Sequence, residues 1–214
     1  MALSKVNFNS INATPTASKF VTFNADADGL AAGDVGGALT LISTATASSS
    51  ATLSFTSGID STYKEYVFRF YNMHPENDDQ NLFFNMSIDS GSNYNVTKTT
   101  NYFRANHNEN DAAASLNYRT GEDLAQATGY QKLTLGTNND NDSGSSGILH
   151  LFEPSSTVFV KHFIARVSDA YGEPSNNDTF IAGYGNTTSA VDAIQFKFGS
   201  GDIDSGVIKL YGVS

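Results

Sequence analysis

The sequence lacks cysteine and tryptophan and has only 4 prolines among its 214 residues. Without cysteine the chain can form no disulfide bond and no thiolate metal site, so its stability must come from a packed core. A chain of this length buries roughly 70–75% of the surface that its unfolded form exposes, which is enough to stabilise one large domain. We therefore expect a single folded domain, alone or with an arm.

Basic residues and long apolar runs are also scarce. The 12 Lys and Arg residues are scattered, and the formal net charge is −10. Nucleic-acid binding needs clustered positive charge, so we expect no nucleic-acid partner. No segment approaches the ~20 apolar residues of a membrane helix, so we expect no membrane insertion. The opening MALSKVNFNS lacks the apolar run of a signal peptide, which predicts synthesis and assembly in a cytoplasm.

Strand-like segments dominate the rest of the sequence, and helical periodicity is almost absent. Segments rich in Val, Ile, Thr, Phe and Tyr alternate with clusters of Gly, Asn, Asp and Ser. The pattern predicts strands at 38–44, 51–56, 63–72, 81–88, 94–105, 130–135, 147–152, 158–167, 179–184, 193–198 and 207–211. Parallel strands would need crossover helices, which the pattern does not predict. We therefore predict an all-β fold, an antiparallel β-sandwich that is jelly-roll-like.

Alternation along the predicted strands indicates which side chains face the core. The inward set is predicted to include Tyr66, Phe68 and Phe70 in one strand and Ile194, Phe196 and Phe198 in another. The segment VFVKHFIARV is apolar on both faces, which predicts a central strand covered on both sides. The many phenylalanines are thus predicted to fill the core between two sheets.

Residues 1–45 differ in composition from the rest of the chain. Segments such as ATPTASK, ADADGLAAGDVGGA and STATASSS hold few large apolar side chains, so this stretch cannot build a core of its own. We predict an extended N-terminal arm over residues 1–45 that contacts partner subunits or anchors the chain in a larger assembly. The alternative is an arm packed on its own domain. The β-sandwich is predicted over residues 46–214.

Loops rich in Asp and Asn are the candidates for metal binding. Asp140 and Asp142 lie in NNDNDSG, and Asp202 and Asp204 lie in GDIDSG. Calcium takes roughly six to eight oxygen ligands, which such loops can supply, but neither loop has the EF-hand spacing. Asn and Asp also favour ordinary turns, and GDIDSG would then be a hairpin turn between the last two predicted strands. We predict no catalytic residue and no cofactor, because no motif of a nucleophile or a zinc site occurs.

Tyrosines near predicted loops are candidates for sugar binding, because aromatic rings stack on sugar rings. The candidates are Tyr94, Tyr102, Tyr118, Tyr130, Tyr171 and Tyr184. Tryptophan, the strongest stacking platform, is absent. The alternative is that these tyrosines cap the sandwich or line a subunit interface, where tyrosine is enriched. Residues 106–129 are predicted to form a long loop, and long loops often carry function.

Four stretches stand out as motifs: SGIDSTYKEYVFRFYNMHP (57–75), SIDSGSNYN (87–95), LHLFEPSSTVFVKHFIA (149–165) and GNTTSAVDAIQFKFGSGDIDSGVIKLYG (185–212). Together with the opening MALSKVNFNSINATPTASK, they resemble a β-sandwich domain of tailed-phage structural proteins, notably those of marine and cyanobacterial phages. The resemblance spans nearly the whole chain, and the last motif is the most specific.

The resemblance implies a non-enzymatic virion structural protein on the exterior of the particle. Such a protein would be a capsid decoration, a head fibre or a tail-fibre-type component. The resemblance also implies a homotrimer that contacts other capsid or tail proteins and is located in the virion after assembly in the host cytoplasm. The alternative is a receptor- or glycan-binding module that attaches to a host surface glycan.

Overall fold

The structure, a computed structural model, describes residues 20–23, 30–33, 38–171 and 174–214. Most of the predicted arm lies outside these residues, so its anchoring role stays a prediction. The described part is all-β. It contains no helix, and therefore none that is long and apolar enough to cross a membrane.

The chain divides into two units, Met1–Ala38 and Leu39–Ser214. In the first unit, β1 (Phe20–Phe23) pairs antiparallel with β2 (Leu30–Gly33). Neither strand was predicted from the sequence, because each has only four residues and is flanked by small residues. The sandwich unit begins at Leu39, so residues 39–45, which were predicted in the arm, belong to its first strand.

The described residues of the second unit form twelve strands in two antiparallel sheets. They are β3 (Leu39–Ser50), β4 (Leu53–Phe55), β5 (Glu65–Pro75), β6 (Leu82–Ser87), β7 (Lys98–Asn108), β8 (Ala114–Tyr118), β9 (Gln131–Lys132), β10 (Ser145–Phe152), β11 (Lys161–Tyr171), β12 (Ser175–Gly185), β13 (Ala193–Phe198) and β14 (Ile203–Val213). The larger sheet has the order β3-β14-β5-β10-β11-β12-β7-β8, and the smaller has the order β4-β13-β6-β9. Every strand predicted from the sequence overlaps one of these strands. The predicted antiparallel β-sandwich is confirmed.

The chain passes repeatedly from one sheet to the other, as it does in a jelly roll. For example, β12 lies in the larger sheet, β13 in the smaller and β14 in the larger again. The prediction of a hairpin at GDIDSG is therefore wrong. The exposed turn between β13 and β14 leads from the smaller sheet to the larger sheet, so its two flanking strands do not pair with each other.

Phenylalanine rings fill the space between the two sheets. The ring of Phe196 on β13 lies 5.5 Å from the ring of Phe68 and 5.2 Å from the ring of Phe70, both on β5 of the facing sheet. The Phe70 contact is edge-to-face, a favourable geometry for aromatic pairs. The predicted inward set is confirmed, since all of its members are buried: Tyr66, Phe68, Phe70, Ile194, Phe196 and Phe198.

The central strand β11 is covered on one face only. Lys161, Phe163 and Ala165 are buried, whereas His162 and Ile164 on the opposite face are exposed. The sequence predicts the central position correctly, but the prediction of a strand covered on both sides is wrong. On that side of β11 the side chains of His162, Ile164 and Arg166 are open to water.

The interior beside β7 and β12 is polar, because loop segments close it. The cover is residues 119–137, whose buried backbone groups need hydrogen-bond partners. Side chains of the larger sheet supply them. Thr179 Oγ1 donates to the Leu133 carbonyl at 2.6 Å, and Asn177 Nδ2 donates to the Leu135 carbonyl at 3.2 Å. These buried polar side chains are therefore structural.

Two ionisable side chains are buried in the sandwich. Burial lowers the pKa of Lys98 to about 7, although its Nζ donates to Asn85 Oδ1 and to the Val96 carbonyl. Burial also raises the pKa of Asp169 to about 7. Asp169 Oδ2 accepts a hydrogen bond from Asn177 at 3.3 Å, and its Oδ1 has no partner among the described residues. Both groups therefore change charge near neutral pH.

The segment 106–129, predicted as a long loop, is partly strand. β7 continues to Asn108 and forms an edge hairpin with β8, in which Phe103 lies opposite Tyr118. All 5 residues of β8 are exposed. The loop prediction is wrong in this part because ASLNY is too short to show a clear strand pattern. The rest of the segment contributes to the cover of the polar interior.

Candidate binding face

The candidate site is the side of the larger sheet that points away from the smaller sheet, which we call the outer face. Along each strand its residues alternate with core residues. On β10 and β11 they are Ser146, Ile148, His150, Phe152, His162, Ile164, Arg166 and Ser168. On β12, β7 and β8 they are Asn176, Asp178, Phe180, Ala182, Tyr184, Thr99, Asn101, Phe103, Ala105, His107, Ala114, Leu116 and Tyr118.

A row of large side chains crosses the middle of the outer face. Arg166 lies opposite Phe180, Phe180 opposite Phe103, and Phe103 opposite Tyr118. The rings of Phe103 and Phe180 stack with their centroids 4.9 Å apart and their planes 4° apart. The guanidinium carbon of Arg166 lies 4.8 Å from the centre of the Phe180 ring, a cation–π distance. We call these four residues the ridge.

Asp178 fixes the charged end of the ridge. Arg166 Nε donates to Asp178 Oδ1 at 3.0 Å, and Arg166 Nη2 donates to Oδ2 at 2.6 Å. The hydrogen bonds with Asp178 raise the pKa of Arg166. Two parallel hydrogen bonds of this kind fix the plane of a guanidinium group. The ridge is therefore held in place before any partner arrives.

Large apolar side chains of the outer face are open to water. Leu116 is 71% exposed, Ile164 52%, Tyr118 51% and Phe103 38%. Phe103 and Tyr118 are cross-strand neighbours, and Leu116 lies two residues before Tyr118 on the same face of β8. Scattered exposed apolar residues are ordinary, whereas a contiguous patch of them marks an interaction site.

A polar depression of about 490 Å³ lies on one side of the ridge. Ser146, Ser168 and Asn176 line it together with His107. Ser168 Oγ donates to Asn176 Oδ1 at 2.8 Å. The lining offers hydroxyl, amide and imidazole groups, which can exchange hydrogen bonds with a polar ligand.

A second depression of about 490 Å³ lies on the other side of the ridge and is more apolar. Its lining includes Phe152, Ile164, Ala182 and Tyr184. The His162 ring also lines it, with its centroid 6.0 Å from that of the Tyr184 ring. Aromatic side chains surround the small side chain of Ala182, and this arrangement suits a ligand with a flat apolar surface.

The structure places two of the six candidate tyrosines on the outer face. Tyr184 lines the apolar depression, and Tyr118 belongs to the ridge. Tyr118 Oη donates to Asp123 Oδ2 at 2.6 Å, which fixes the ring at the sheet edge. These two tyrosines are therefore available to a ligand or to a partner protein.

The other four candidate tyrosines lie elsewhere. Tyr102 is 0% exposed and packs in the core, so proposing it as a sugar-binding residue is wrong: its ring has no free face. Tyr130 Oη donates to Gln195 on the smaller sheet. Tyr94 and Tyr171 are half-buried. The six tyrosines therefore do not form one site.

Sequence reasoning missed Phe103, Phe180 and Arg166, because it assigned the phenylalanines to the core. The alternation in NYFRAN does place Tyr102 and Phe103 on opposite faces. It does not show which face is inside, since the inner face of β7 also carries Lys98. A count of polar residues on each face would have chosen the wrong side.

The two loops rich in Asp and Asn both contact Glu76 in the structure. The backbone N–H of Asp202 donates to Glu76 Oε2 at 2.9 Å, and the side chain of Asn139 donates to the Glu76 carbonyl at 3.1 Å. These hydrogen bonds join segments that are far apart in sequence. A backbone N–H group and an asparagine side chain thus link these turns through Glu76.

His74 lies between two of the calcium candidates. Its Nε2 is 3.1 Å from the Asp140 carbonyl oxygen, and its Nδ1 is 3.7 Å from Asp204 Oδ2. Asp142 is exposed in the same turn region. Among the residues that the structure describes, no three His, Asp or Glu side chains are placed to hold one metal ion. Calcium binding at Asp140, Asp142, Asp202 and Asp204 stays a prediction.

No family model, curated protein or solved structure matches the chain. Its function must therefore be inferred from the chemistry of the outer face. That face combines fixed aromatic rings, a guanidinium group and two depressions with hydrogen-bonding groups. These are the groups with which proteins bind other protein surfaces or sugars.

Proposed function

We propose that the chain is a non-enzymatic virion structural protein on the exterior of a tailed phage and that it acts through oligomeric assembly. The motifs that resemble phage structural proteins support the phage setting. They include residues 57–75, which contain β5, and residues 149–165, which contain the second half of β10 and the start of β11. The β-sandwich is also the fold that the resemblance implies.

The contiguous apolar patch on the outer face is the observation that carries the proposal. Phe103, Leu116 and Tyr118 expose apolar surface next to one another. Covering apolar surface gains about 25 cal/mol per Å², so a partner protein on this face would stabilise the complex. Aromatic residues and arginine, which form the ridge, are enriched at protein interfaces. An assembly protein needs such a face.

The proposed partners are other copies of the chain and neighbouring capsid or tail proteins. The resemblance favours a homotrimer, and a trimer would cover the outer face of each subunit or present it to the particle. Residues 1–38, the part of the predicted arm that lies before the sandwich unit, are proposed to anchor the chain. Both a capsid decoration or head fibre and a tail-fibre-type component fit this proposal, and the short chain favours decoration over a fibre shaft.

Serine substitutions at Phe103 and Ile164 test the proposal. Both side chains are exposed, so the double variant keeps its core, and we expect its incorporation into phage particles to fall by at least roughly tenfold. Incorporation is measured by quantitative mass spectrometry of purified particles. The matched control is Val158→Ser, because Val158 is 69% exposed but lies in the loop before β11.

Two results would count against assembly through the outer face. One is normal incorporation of the folded double variant. The other is an equal loss for the Val158→Ser control, since it would show that incorporation responds to any exposed apolar substitution. Circular dichroism of each purified variant verifies the fold first.

A receptor- or glycan-binding module is the second candidate function. The apolar depression supports it, because Tyr184 and His162 stand beside Thr99 and Asn101, which can hydrogen-bond to a sugar. An aromatic ring with neighbouring hydroxyl and amide groups is a usual arrangement of a sugar site.

A glycan array with the full chain tests this second candidate. We expect Tyr184→Ala to remove binding and Tyr171→Ala to retain it, since Tyr171 lies outside both depressions. If the unsubstituted chain binds no glycan, or if the two variants lose binding equally, the second candidate fails.

A further inference from the structure

The strand β8 forms one edge of the larger sheet. It pairs with β7 on one side, and no described strand pairs with it on the other. Such an edge presents unpaired N–H and C=O groups that can pair with another chain. The open side of β8 is therefore a place where a further strand can be added.

Hydrogen bonds at the two ends of β8 reveal which of its residues point to the open side. The Ala113 carbonyl accepts from the N–H of Asn108 at 3.0 Å, and the N–H of Arg119 donates to the Tyr102 carbonyl at 2.9 Å. Odd-numbered residues thus direct their backbone groups toward β7, and the direction alternates along the strand. The residues that direct both backbone groups to the open side are Ala114, Leu116 and Tyr118.

The sequence of β8, ASLNY, lacks the features that protect natural edge strands. It contains no charged residue and no proline, and its register with β7 is regular. Natural proteins use charges, prolines and bulges at edges to prevent pairing between molecules. Leu116 and Tyr118 also expose apolar side chains there. Neither the backbone groups nor the side chains of β8 prevent another strand from pairing with this edge.

We propose that β8 pairs with β8 of a second copy of the chain, antiparallel and two-fold symmetric about Leu116. In this register Leu116 lies opposite Leu116 of the second copy, and Ala114 lies opposite Tyr118 of the second copy. Each backbone group that points to the open side then has a partner. The larger sheets of the two copies become one continuous sheet across an isologous contact.

The side chains of β8 match in the same register. Leu116 meets its own copy on the outer face, and Tyr118 packs across from the small Ala114. On the opposite face Ser115 lies opposite Asn117 of the second copy, so two hydrogen-bonding groups meet. No charges face each other within the strand, and apolar and polar cross-strand pairs of this kind stabilise sheets.

Charges just outside β8 favour a second copy over an unrelated strand. The register places Arg119 of one copy opposite Ala113 of the other, two residues from Asp111. Within one copy, Asp111 Oδ1 lies 2.9 Å from His107 Nε2 and Arg119 Nη2 lies 4.0 Å from Glu122 Oε1. The side chains of Asp111 and Arg119 are 90% and 38% exposed, so each can exchange this neighbour for the opposite charge of the second copy. Because the contact is two-fold symmetric, the pair of Asp111 and Arg119 occurs twice in the dimer. Opposite charges at an interface select partner and orientation.

The contact goes beyond the proposed virion function and does not depend on it, because it concerns two copies of the isolated chain. A pairing of five residues is small for an interface, so we expect a weak dimer at high protein concentration. On a particle that carries many copies, the high local concentration would favour it.

Sedimentation velocity of the full chain over a range of concentrations tests the proposal. Leu116→Pro removes an N–H that points to the open side and leaves the bonds to β7 intact, and proline is tolerated on such an edge. We expect it to raise the dimer dissociation constant by at least roughly tenfold. The matched control, Leu116→Thr, keeps the N–H and a strand-forming residue, so we expect a smaller increase.

Charge reversal provides a second test that does not alter β8. Asp111→Arg and Arg119→Asp each place like charges together across the contact, so each should weaken the dimer. The two changes combined restore opposite charges and should recover dimerisation. Both residues are at the surface, and circular dichroism verifies that each variant is folded.

Two outcomes would overturn the pairing. The unsubstituted chain could stay monomeric at the highest attainable concentration, or Leu116→Pro could fold and dimerise as well as the unsubstituted chain. If Leu116→Pro does not fold, the charge variants decide: recovery in the double variant supports the pairing, and failure to recover contradicts it. A dimer that persists in all variants leaves the proposed virion function untouched and rejects only the β8 contact.

Discussion

At the residue scale, buried polar side chains decide how the sandwich is closed. Thr179 and Asn177 face a loop instead of a strand, and each donates to a loop carbonyl. Because these side chains are polar, the alternation in the sequence predicts that they lie at the surface. It does not show that each one donates a hydrogen bond to a buried loop carbonyl. Their role depends on residues 119–137, which are distant in sequence, so the sequence could not predict it.

Replacing Thr179 with valine should lower the free energy of unfolding by about 1–3 kcal/mol, because it removes a buried hydroxyl that lies 2.6 Å from the Leu133 carbonyl oxygen and 3.0 Å from that of Val167. Valine has nearly the same shape, so the change isolates the hydrogen bond. Urea unfolding followed by circular dichroism measures the effect. The matched control is Thr46→Val on the exposed face of β3, for which we expect a change within about 0.5 kcal/mol. Equal effects of the two changes would contradict the structural role of Thr179.

The buried carboxyl group of Asp169 should make stability depend on pH. Its pKa is raised from 3.8 to about 7 in the folded chain, so the folded state binds the proton more tightly than the unfolded state does. The stabilising contribution is full below the unfolded pKa and is lost as the pH rises to about 7. In this window the free energy of unfolding should fall by up to about 1.4 kcal/mol per pH unit.

Asp169→Asn removes this titration, so its free energy of unfolding should change less between about pH 5 and about pH 7. Near pH 7 we expect the variant to be more stable than the unsubstituted chain, because no charge is buried. Asp142→Asn, in an exposed turn, controls for the loss of one negative charge. Urea unfolding at the two pH values provides the measurement. A pH slope that survives in Asp169→Asn would refute the assignment to this carboxyl group.

At the element scale, the sequence predicts where strands lie better than it predicts how they pair. The prediction for β13 matches the strand from Ala193 to Phe198, and the inward residues of β5 are correct. The turn residues after β13 nevertheless predict a hairpin, although β13 and β14 pair in different sheets. Turn residues indicate that the chain reverses direction. They do not indicate which sheet the next strand joins, because that depends on which part of the core the strand covers. The sequence also does not identify the outer face. The inner face of β7 is partly polar, so polarity does not show which side of this strand faces the core.

Gly147 tests how closely β10 and β11 approach each other. A Cβ atom at this position would lie 2.7 Å from Val167 Cα and would also clash with the Arg166 carbonyl oxygen, so the backbone of β11 would have to shift. We expect Gly147→Ala to lower the free energy of unfolding by about 1–3 kcal/mol in urea unfolding. Gly121→Ala is the matched control, because nothing lies within 4 Å of its Cβ position. A loss no larger than that of the control would show that the strands are further apart.

At the scale of the whole molecule, one sheet face is packed and the other is open. The smaller sheet covers the inner side of the larger sheet, while the outer face keeps Ile164 52% exposed at its centre. The sequence predicts the core between the sheets. The sequence does not predict the open face. Apolar residues alternate along a strand in the same way whether they face the core or an interface, so the pattern does not distinguish the two. We take the open face to be the surface through which the chain assembles.

The most direct test is electron cryomicroscopy of tailed-phage particles whose genome encodes the chain. We expect density for the sandwich on the outside of the particle, with Phe103, Ile164 and the rest of the outer face against a neighbouring subunit. Purified particles that lack the chain would contradict the virion role. Particles that carry it with the outer face open to the medium on every copy would contradict assembly through that face.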